Sequence, residues 1–163
     1  MKITILITAF SFLLFNSTEN FIITEANKLE WSKVYETELS TEDLHEAIKI
    51  QLKAEEISEN TFFVSIKNYQ LDYKSLGYTT LNAPIAIQGK INFDLFIKTK
   101  EGKYKATVKE IKSITPPDYL PFDMELLAIK KGKYRKFFIN HLSKSLEYNL
   151  TKKTTLVAED DDW

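Results

Sequence analysis

Residues 84–115 read PIAIQGKINFDLFIKTKEGKYKATVKEIKSIT, and this stretch carries the strongest structural signal in the chain. Apolar residues and Gly89 occupy every second position from Ile85 to Ile97, which is the two-residue period of a strand with one buried face. The pattern predicts a long strand over residues 84–98. A sheet with one buried face needs helices to cover it, so the rest of the chain must supply them.

A turn at residues 100–103, with the sequence Lys-Glu-Gly-Lys, predicts an antiparallel return strand. The predicted register contains three pairs: Leu95 with Val108, Ile97 with Ala106, and Asp94 with Lys109. A slip of one residue would move every apolar side chain to the wrong face, so this register is tightly specified. The polar residues of the exposed face form a candidate interaction surface: Gln88, Lys90, Asn92, Asp94, Lys105, Thr107 and Lys109.

Three further elements precede this hairpin. Residues 31–39 mix β-branched and aromatic side chains with polar ones and favour a short strand. Ser40 is suited to cap a helix whose apolar residues recur at helical spacing up to about Glu56. Residues 61–73 alternate like a strand, but their apolar set changes sides near Asn68, which predicts a β-bulge there.

A second helix follows the hairpin. Prolines at 116–117 end the return strand because proline lacks the donor that a ladder needs, and Pro121 is expected to keep the connection irregular. Residues 133–150 repeat apolar side chains at helical spacing, so Phe138 and Leu142 are expected to pack on the sheet. The element order β-α-β-β-β-α predicts an α+β domain, with two helices on one face of an antiparallel sheet.

The N-terminal residues have the organisation of a secretory signal peptide. A lysine precedes an apolar run over residues 3–15, and polar residues follow it. The sequence therefore predicts a signal peptide over residues 1–26, with cleavage between 17 and 26. Ala26 fits the small-residue rule for cleavage, and a cut near Ser17 or Thr18 is the competing site. An uncleaved membrane anchor is the structural alternative.

The composition suits one globular domain. With 163 residues, 44% hydrophobic and 28% charged, the chain is long enough for one ordinary core and too short for two. We assign this domain to residues 27–150 and expect residues 151–163 to form a disordered acidic tail.

The charge distribution is balanced in total but segregated along the chain. A net charge of -1 gives no overall field that would attract nucleic acid or an anionic membrane, so nucleic acid is not favoured as a partner. Residues 36–59 are acidic, whereas residues 98–136 are basic. The chain contains no cysteine, which excludes disulfides, thiol catalysis, thiolate metal sites and the lipid-acceptor cysteine of a lipoprotein.

Several of these segments resemble a bacterial exported domain family of unknown function with a TATA-binding-protein-like (TBP-like) fold. The resemblance lies in the sequence from Val34 to Ser40, the helix after it, IQGKI at 87–91 and IKTKEGKYKATVKEI at 97–111. It covers roughly residues 30–150. It implies a curved antiparallel sheet with helices on one face, usually in exported proteins, and no known reaction.

The sequence predicts no catalytic, cofactor-binding or metal-binding residue. His45-Glu46 begins like a helical zinc-protease motif, but Lys49 stands where the second histidine is needed. His141 is the only other histidine, and we interpret it as a packed residue of the late helix. Glu36 with Glu38 and Asp123 with Glu125 are the acidic pairs considered for acid/base chemistry, and both are interpreted as ordinary surface charges.

These absences favour an exported, non-catalytic binding or structural module of the bacterial cell envelope. Its partner would be an envelope protein, glycan or lipid bound through the open sheet face. One alternative is a carboxylate-based hydrolase of envelope glycans, which a deep cleft with two carboxylates ~5–10 Å apart would favour. The other is an anion or nucleic-acid binder that uses the basic segments, which a continuous basic groove lined by Tyr104 and Tyr134 would favour. The basic-aromatic run at 130–137 is the best nucleic-acid candidate, and we interpret it as a solvated helix start.

Overall fold

The computed structural model describes residues 20–115 and 120–156. Its main strands are β1 (Phe21–Ile23), β2 (Leu29–Glu36), β3 (Glu55–Ser58), β4 (Thr61–Gln70), β5 (Lys90–Lys100), β6 (Lys103–Ile114) and β7 (Pro121–Asp123). They form one antiparallel sheet in the order β1-β2-β6-β5-β4-β3, and β7 pairs with β6. A separate hairpin contains β8 (Ile129–Lys130) and β9 (Lys133–Tyr134).

The helices are α1 (Thr41–Gln51), α2 (Ile85–Gln88), α3 (Glu125–Ala128) and α4 (Ser143–Thr154), and a π-helical turn (Phe138–Leu142) leads into α4. The two longer helices, α1 and α4, pack on the same face of the sheet. His45 of α1 contacts the ring of Phe62 in β4, and Glu147 of α4 accepts a hydrogen bond from the indole of Trp31 in β2. The α+β class with helices on one face of an antiparallel sheet is confirmed.

The predicted hairpin register is confirmed. Strands β5 and β6 pair Leu95 with Val108, Ile97 with Ala106, and Asp94 with Lys109. The strand begins at Lys90, however, and the segment before it forms α2. Ile87 is buried while Ile85 is 59% exposed, so the apparent alternation of these two residues does not mark a common strand face. The backbone at Gly89 lies very close to β6, because a Cβ atom there would collide with the carbonyl oxygen of Ile114.

Each of the two strands that flank β5 has a bulge, and the two bulges lie opposite the same part of β5. The predicted bulge in β4 is confirmed: the register shifts between Ile66 and Tyr69, and Asn68 has a φ of 55°. A second bulge, which the sequence analysis did not predict, lies in β6 at Glu110, with a φ of 50°. Each bulge adds one residue opposite the same part of β5, and bulges increase local twist.

Helix α1 begins as predicted and ends earlier than predicted. The Asp43 N–H donates to Ser40 Oγ at 3.2 Å, which confirms the cap. The helix ends at Gln51 rather than near Glu56, and after a three-residue connection Glu55 begins the edge strand β3. All four β3 residues are exposed, so this strand has no apolar alternation that a sequence pattern could reveal.

The C-terminal region differs from the prediction at both ends. Lys133 and Tyr134 belong to β9, and helical residues begin at 136. Phe138 and Leu142 are fully buried, as predicted. The helix continues past residue 150 to Thr154, whose side chain is buried, so order extends into the expected disordered tail. The acidic residues 159–162 of that tail lie outside the described residues.

The remaining predicted boundaries concern the connection after β6 and the N-terminus. Strand β6 ends at Ile114, and Pro121 opens β7 instead of an irregular connection, because a proline is tolerated as the first residue of a strand. Phe21 is fully buried against Phe138, with ring centroids 5.7 Å apart, so part of the predicted leader belongs to the sheet. Residues 1–19 and 116–119 lie outside the described residues. Within the described ranges, no helix combines the length and the apolar character needed to cross a bilayer.

Candidate anion-binding surface

The open face is the face of the main sheet that points away from α1 and α4. Six of the seven predicted surface residues follow the alternation onto this face, and none of the six is buried: Lys90, Asn92, Asp94, Lys105, Thr107 and Lys109. Gln88 does not, because it lies in α2. Its side-chain amide donates to the carbonyl oxygens of Ala83 at 2.6 Å and Thr80 at 3.2 Å.

The centre of the open face is occupied by internal bonds. Asp94 accepts a hydrogen bond from Ser65 Oγ at 2.7 Å, and Asn92 Oδ1 accepts one from the N–H of the bulged Asn68 at 2.8 Å. Lys109 Nζ lies 3.3 Å from Glu30 and 5.9 Å from the ring centroid of Phe96. These side chains stabilise the sheet, so they are poor candidates for binding a partner.

Unpaired charge is concentrated instead at the turn end of the β5–β6 hairpin. Four residues, which we call the lysine cluster, share the open face there: Lys98, Lys100, Lys103 and Lys105. Lys98 lies directly opposite Lys105 and Lys100 opposite Lys103. Among the described residues none of the four forms an ion pair, although Glu36 of β2 is the cross-strand neighbour of Lys103. Like charges directly opposite each other destabilise a sheet.

The lysine cluster surrounds a shallow concavity of about 320 Å³. Val34 of β2, which is 57% exposed, contributes an apolar part of its wall. Each ammonium offers three donors and a point charge, which suits phosphate, sulfate or carboxylate groups. The concavity is therefore chemically suited to an anionic ligand.

Tyr104 lies between two of these lysines on β6 but serves the covered face. Its hydroxyl donates to the Thr154 carbonyl at 3.0 Å and accepts from the Leu156 N–H at 3.0 Å. Burial raises the pKa of Tyr104 to about 12, while the Leu156 N–H opposes this shift and Tyr35 adds to it. The hydroxyl stays protonated near neutral pH and fixes the end of α4.

The second basic region, at the β8–β9 hairpin, is a separate groove of about 720 Å³. Tyr134 lines this groove, whereas Tyr104 lines the smaller concavity on the open face. Within the described residues, the two tyrosines therefore do not line one continuous groove, which is the arrangement that would have favoured an anion binder using both basic segments.

Of the two acidic pairs considered for catalysis, Glu36 and Glu38 are exposed, and Asp123 and Glu125 each have another partner. Asp123 lies 3.9 Å from Lys112, and Glu125 accepts a hydrogen bond from the Leu29 N–H at 3.1 Å. Three glutamates line the cleft beside the β1–β2 turn. Glu30 and Glu110 are each paired with a lysine, at 3.3 Å and 3.6 Å, whereas Glu25 forms no ion pair within the described residues. Within the described part of the chain, no group of three or more His, Asp or Glu side chains could hold a metal ion.

Both histidines have structural contacts. His45 Nε2 hydrogen-bonds with Thr99 Oγ1 at 2.9 Å, so the incomplete zinc-protease motif serves to dock α1 on β5. His141 stacks on Phe137, with ring centroids 5.1 Å apart.

Of the lysine cluster, only Lys105 belongs to the surface predicted from the sequence. Alternation along β5 also places Lys98 and Lys100 on the exposed face, and the turn places Lys103 there. The predicted register, continued to the turn, therefore already places all four lysines together on the exposed face.

The sequence matches no protein-family model and no curated protein. Among solved structures, a TBP-like protein from Parabacteroides distasonis ATCC 8503 is similar, with a TM-score of 0.52 and 16% sequence identity. The match covers 77% of this chain and 90% of that chain. At this identity the likeness concerns the fold alone. The chain therefore has a TBP-like fold, as the resemblance of its hairpin and early helix implied.

Proposed function

We propose that this protein is an exported, non-catalytic binding module of the bacterial envelope whose lysine cluster binds an anionic polysaccharide. The observation that carries the proposal is that two lysine pairs lie directly opposite each other in the β5–β6 register, Lys98 with Lys105 and Lys100 with Lys103. Each such contact disfavours the folded sheet. A ligand that brings negative charge between the ammonium groups would remove this penalty.

The spacing of the lysines favours a polymer over a small ion. Neighbouring positions are about 5 Å apart across the strands and about 7 Å apart along them. A single phosphate could contact only part of this patch, whereas a chain of acidic sugars could contact all four ammonium groups. The concavity is shallow and open, which suits an extended ligand better than an enclosed one.

The decisive experiment measures binding of dextran sulfate, with neutral dextran as the uncharged control ligand. We expect the double variant Lys98→Glu, Lys105→Glu to lose about tenfold or more in affinity, because the contacts are electrostatic. Lys74→Glu, Lys144→Glu is the matched control, since both lysines are exposed and the change in net charge is the same. Equal affinity of the two double variants would refute the proposed site. If the Lys98→Glu, Lys105→Glu variant instead loses about tenfold in affinity for single-stranded DNA and none for dextran sulfate, the site binds nucleic acid.

The N-terminal leader would direct export and be cleaved from the exported protein. The contacts of β1 indicate which of the two cleavage sites keeps the core intact. Phe21 is buried, and Asn20 Nδ2 donates to Glu147 at 2.6 Å. Cleavage after Ala26 would remove these core contacts, whereas a cut near Ser17 or Thr18 would keep them. We therefore expect intact-mass analysis of the native protein to give a first residue close to 18. A first residue of 27 would contradict this position.

A further inference from the structure

We propose that the β8–β9 hairpin and the adjacent start of the last helix form a second, independent site that docks onto an anionic lipid surface. The hairpin has a tight turn. Its two turn residues, Lys131 and Gly132, have φ values of 52° and 69°, as in the two-residue turns that suit hairpins. Lys130 and Lys133 form the pair that flanks the turn.

Contacts with the body of the domain hold this hairpin in place. Tyr134 stacks on the buried Phe138, with ring centroids 5.5 Å apart and planes 12° apart. Arg135 Nη1 donates to the carbonyl oxygen of Leu126 in α3 at 3.0 Å. The cations of the hairpin are therefore presented by a braced element.

No carboxylate among the described residues neutralises the charge of this region. The groove of about 720 Å³ is lined by five cationic side chains and no carboxylate: Lys130, Lys131, Lys133, Arg135 and Lys136. None of the five forms an ion pair with another residue of the described ranges. Each lysine or arginine near an anionic leaflet contributes about 1 kcal/mol to association.

Exposed apolar side chains accompany these cations, and they favour a membrane over nucleic acid. Phe137 lines the groove and is 46% exposed, and Leu126, whose carbonyl binds Arg135, is 67% exposed. Aromatic and aliphatic side chains beside cations are the composition of surfaces that lie in the lipid interface. An aliphatic side chain offers no stacking surface to a nucleic-acid base.

The site can be tested with phosphatidylcholine vesicles prepared with and without phosphatidylglycerol. The neutral vesicles report any binding through the apolar N-terminal run, so the difference between the two preparations reports the hairpin. We expect Lys131→Glu, Lys133→Glu to reduce binding to the anionic vesicles by about thirtyfold. Lys74→Glu, Lys144→Glu and the open-face variant Lys98→Glu, Lys105→Glu should bind these vesicles like the unmodified protein.

A second readout follows the apolar contact directly. In a Phe137→Trp variant, the added emission should shift to shorter wavelength with anionic vesicles and stay unchanged with neutral ones. The proposal would be overturned if the Lys131→Glu, Lys133→Glu variant bound anionic vesicles as tightly as the unmodified protein. It would also be overturned if the emission of the Phe137→Trp variant did not shift with these vesicles. Loss of single-stranded DNA binding without loss of vesicle binding would overturn it in favour of a nucleic-acid site.

Discussion

Charged side chains are paired on the covered face of the sheet, whereas those at the turn end of its open face are not. On the covered face, Glu147 accepts hydrogen bonds of 2.6 Å from both Trp31 Nε1 and Asn20 Nδ2, and Lys33 lies 3.9 Å from it. At the turn end of the open face, the lysine cluster forms no ion pair among the described residues, although Glu36 lies opposite Lys103. The proposal of a ligand at this cluster rests on these lysines and on their repulsive register.

The covered face should show the largest loss of stability on mutation. Phe138 is fully buried between Phe21 and Tyr134. We expect Phe138→Ala to lower the free energy of unfolding by about 3–5 kcal/mol, because it leaves a cavity in the core. Phe137→Ala is the neighbouring control and should cost below about 1 kcal/mol, since its ring is 46% exposed. Urea denaturation measures both, and equal losses would contradict the described packing of the last helix.

Removal of the paired carboxylate should have the next largest effect. Glu147→Ala leaves the Trp31 indole N–H and the Asn20 amide without their acceptor and removes the carboxylate that is paired with Lys33. We expect a loss of about 2–4 kcal/mol in unfolding free energy. Glu46→Ala, at an exposed position of α1, should change it by below about 0.5 kcal/mol. A Glu147 variant as stable as the Glu46 variant would show that the covered-face network does not stabilise the fold.

Alkaline pH should weaken the end of the covered face through Tyr104. Burial raises its pKa from 10.0 to about 12, so the folded protein holds this proton more tightly than the unfolded chain does. The resulting stability is complete below pH 10 and is lost as the pH rises through about 12.

The variant Tyr104→Phe isolates this contribution. At neutral pH it should cost about 1–2 kcal/mol, because the Thr154 carbonyl and the Leu156 N–H lose their partner. Its decline in unfolding free energy at alkaline pH should be shallower, but not absent, because burial also raises the pKa of Tyr35 and of Tyr69. An unchanged alkaline profile would remove Tyr104 as its source.

The β5–β6 hairpin could be predicted because its signals are local. Alternation and the turn together specify which residues of the two strands face each other, and the structure reproduces that register. The α2 segment was mistaken for strand because Ile85 and Ile87 fit a two-residue period over only four helical residues. A period cannot be distinguished over so short a length.

The features that sequence reasoning missed depend on contacts between distant residues. The β6 bulge at Glu110 has no marker such as glycine, and it is set by how β5 and β6 pair across the sheet. Strand β3 is exposed on all four residues and exists because it pairs with β4. For the site, the internal engagement of Asp94 and Lys109 depends on Ser65 and Glu30 from other strands.

The smallest expected changes in stability come from charge reversal at two lysines of β6, one opposite another lysine and one paired with a glutamate. Lys105 and Lys109 lie on the same strand and the same face, but Lys105 opposes Lys98 while Lys109 pairs with Glu30. Lys105→Glu converts a repulsive pair into an attractive one and should raise the unfolding free energy by about 0.2–1 kcal/mol. Lys109→Glu places a new carboxylate beside Glu30 and should lower it by about 0.5–1 kcal/mol.

The central claim is that the lysine cluster is retained for binding at the expense of stability. The most direct test measures unfolding free energy and dextran sulfate affinity on the same Lys105→Glu sample, with Lys109→Glu beside it. Our account expects Lys105→Glu to be at least as stable as the unmodified protein and to bind dextran sulfate more weakly. A Lys105→Glu protein that is less stable and binds dextran sulfate with unchanged affinity would contradict it.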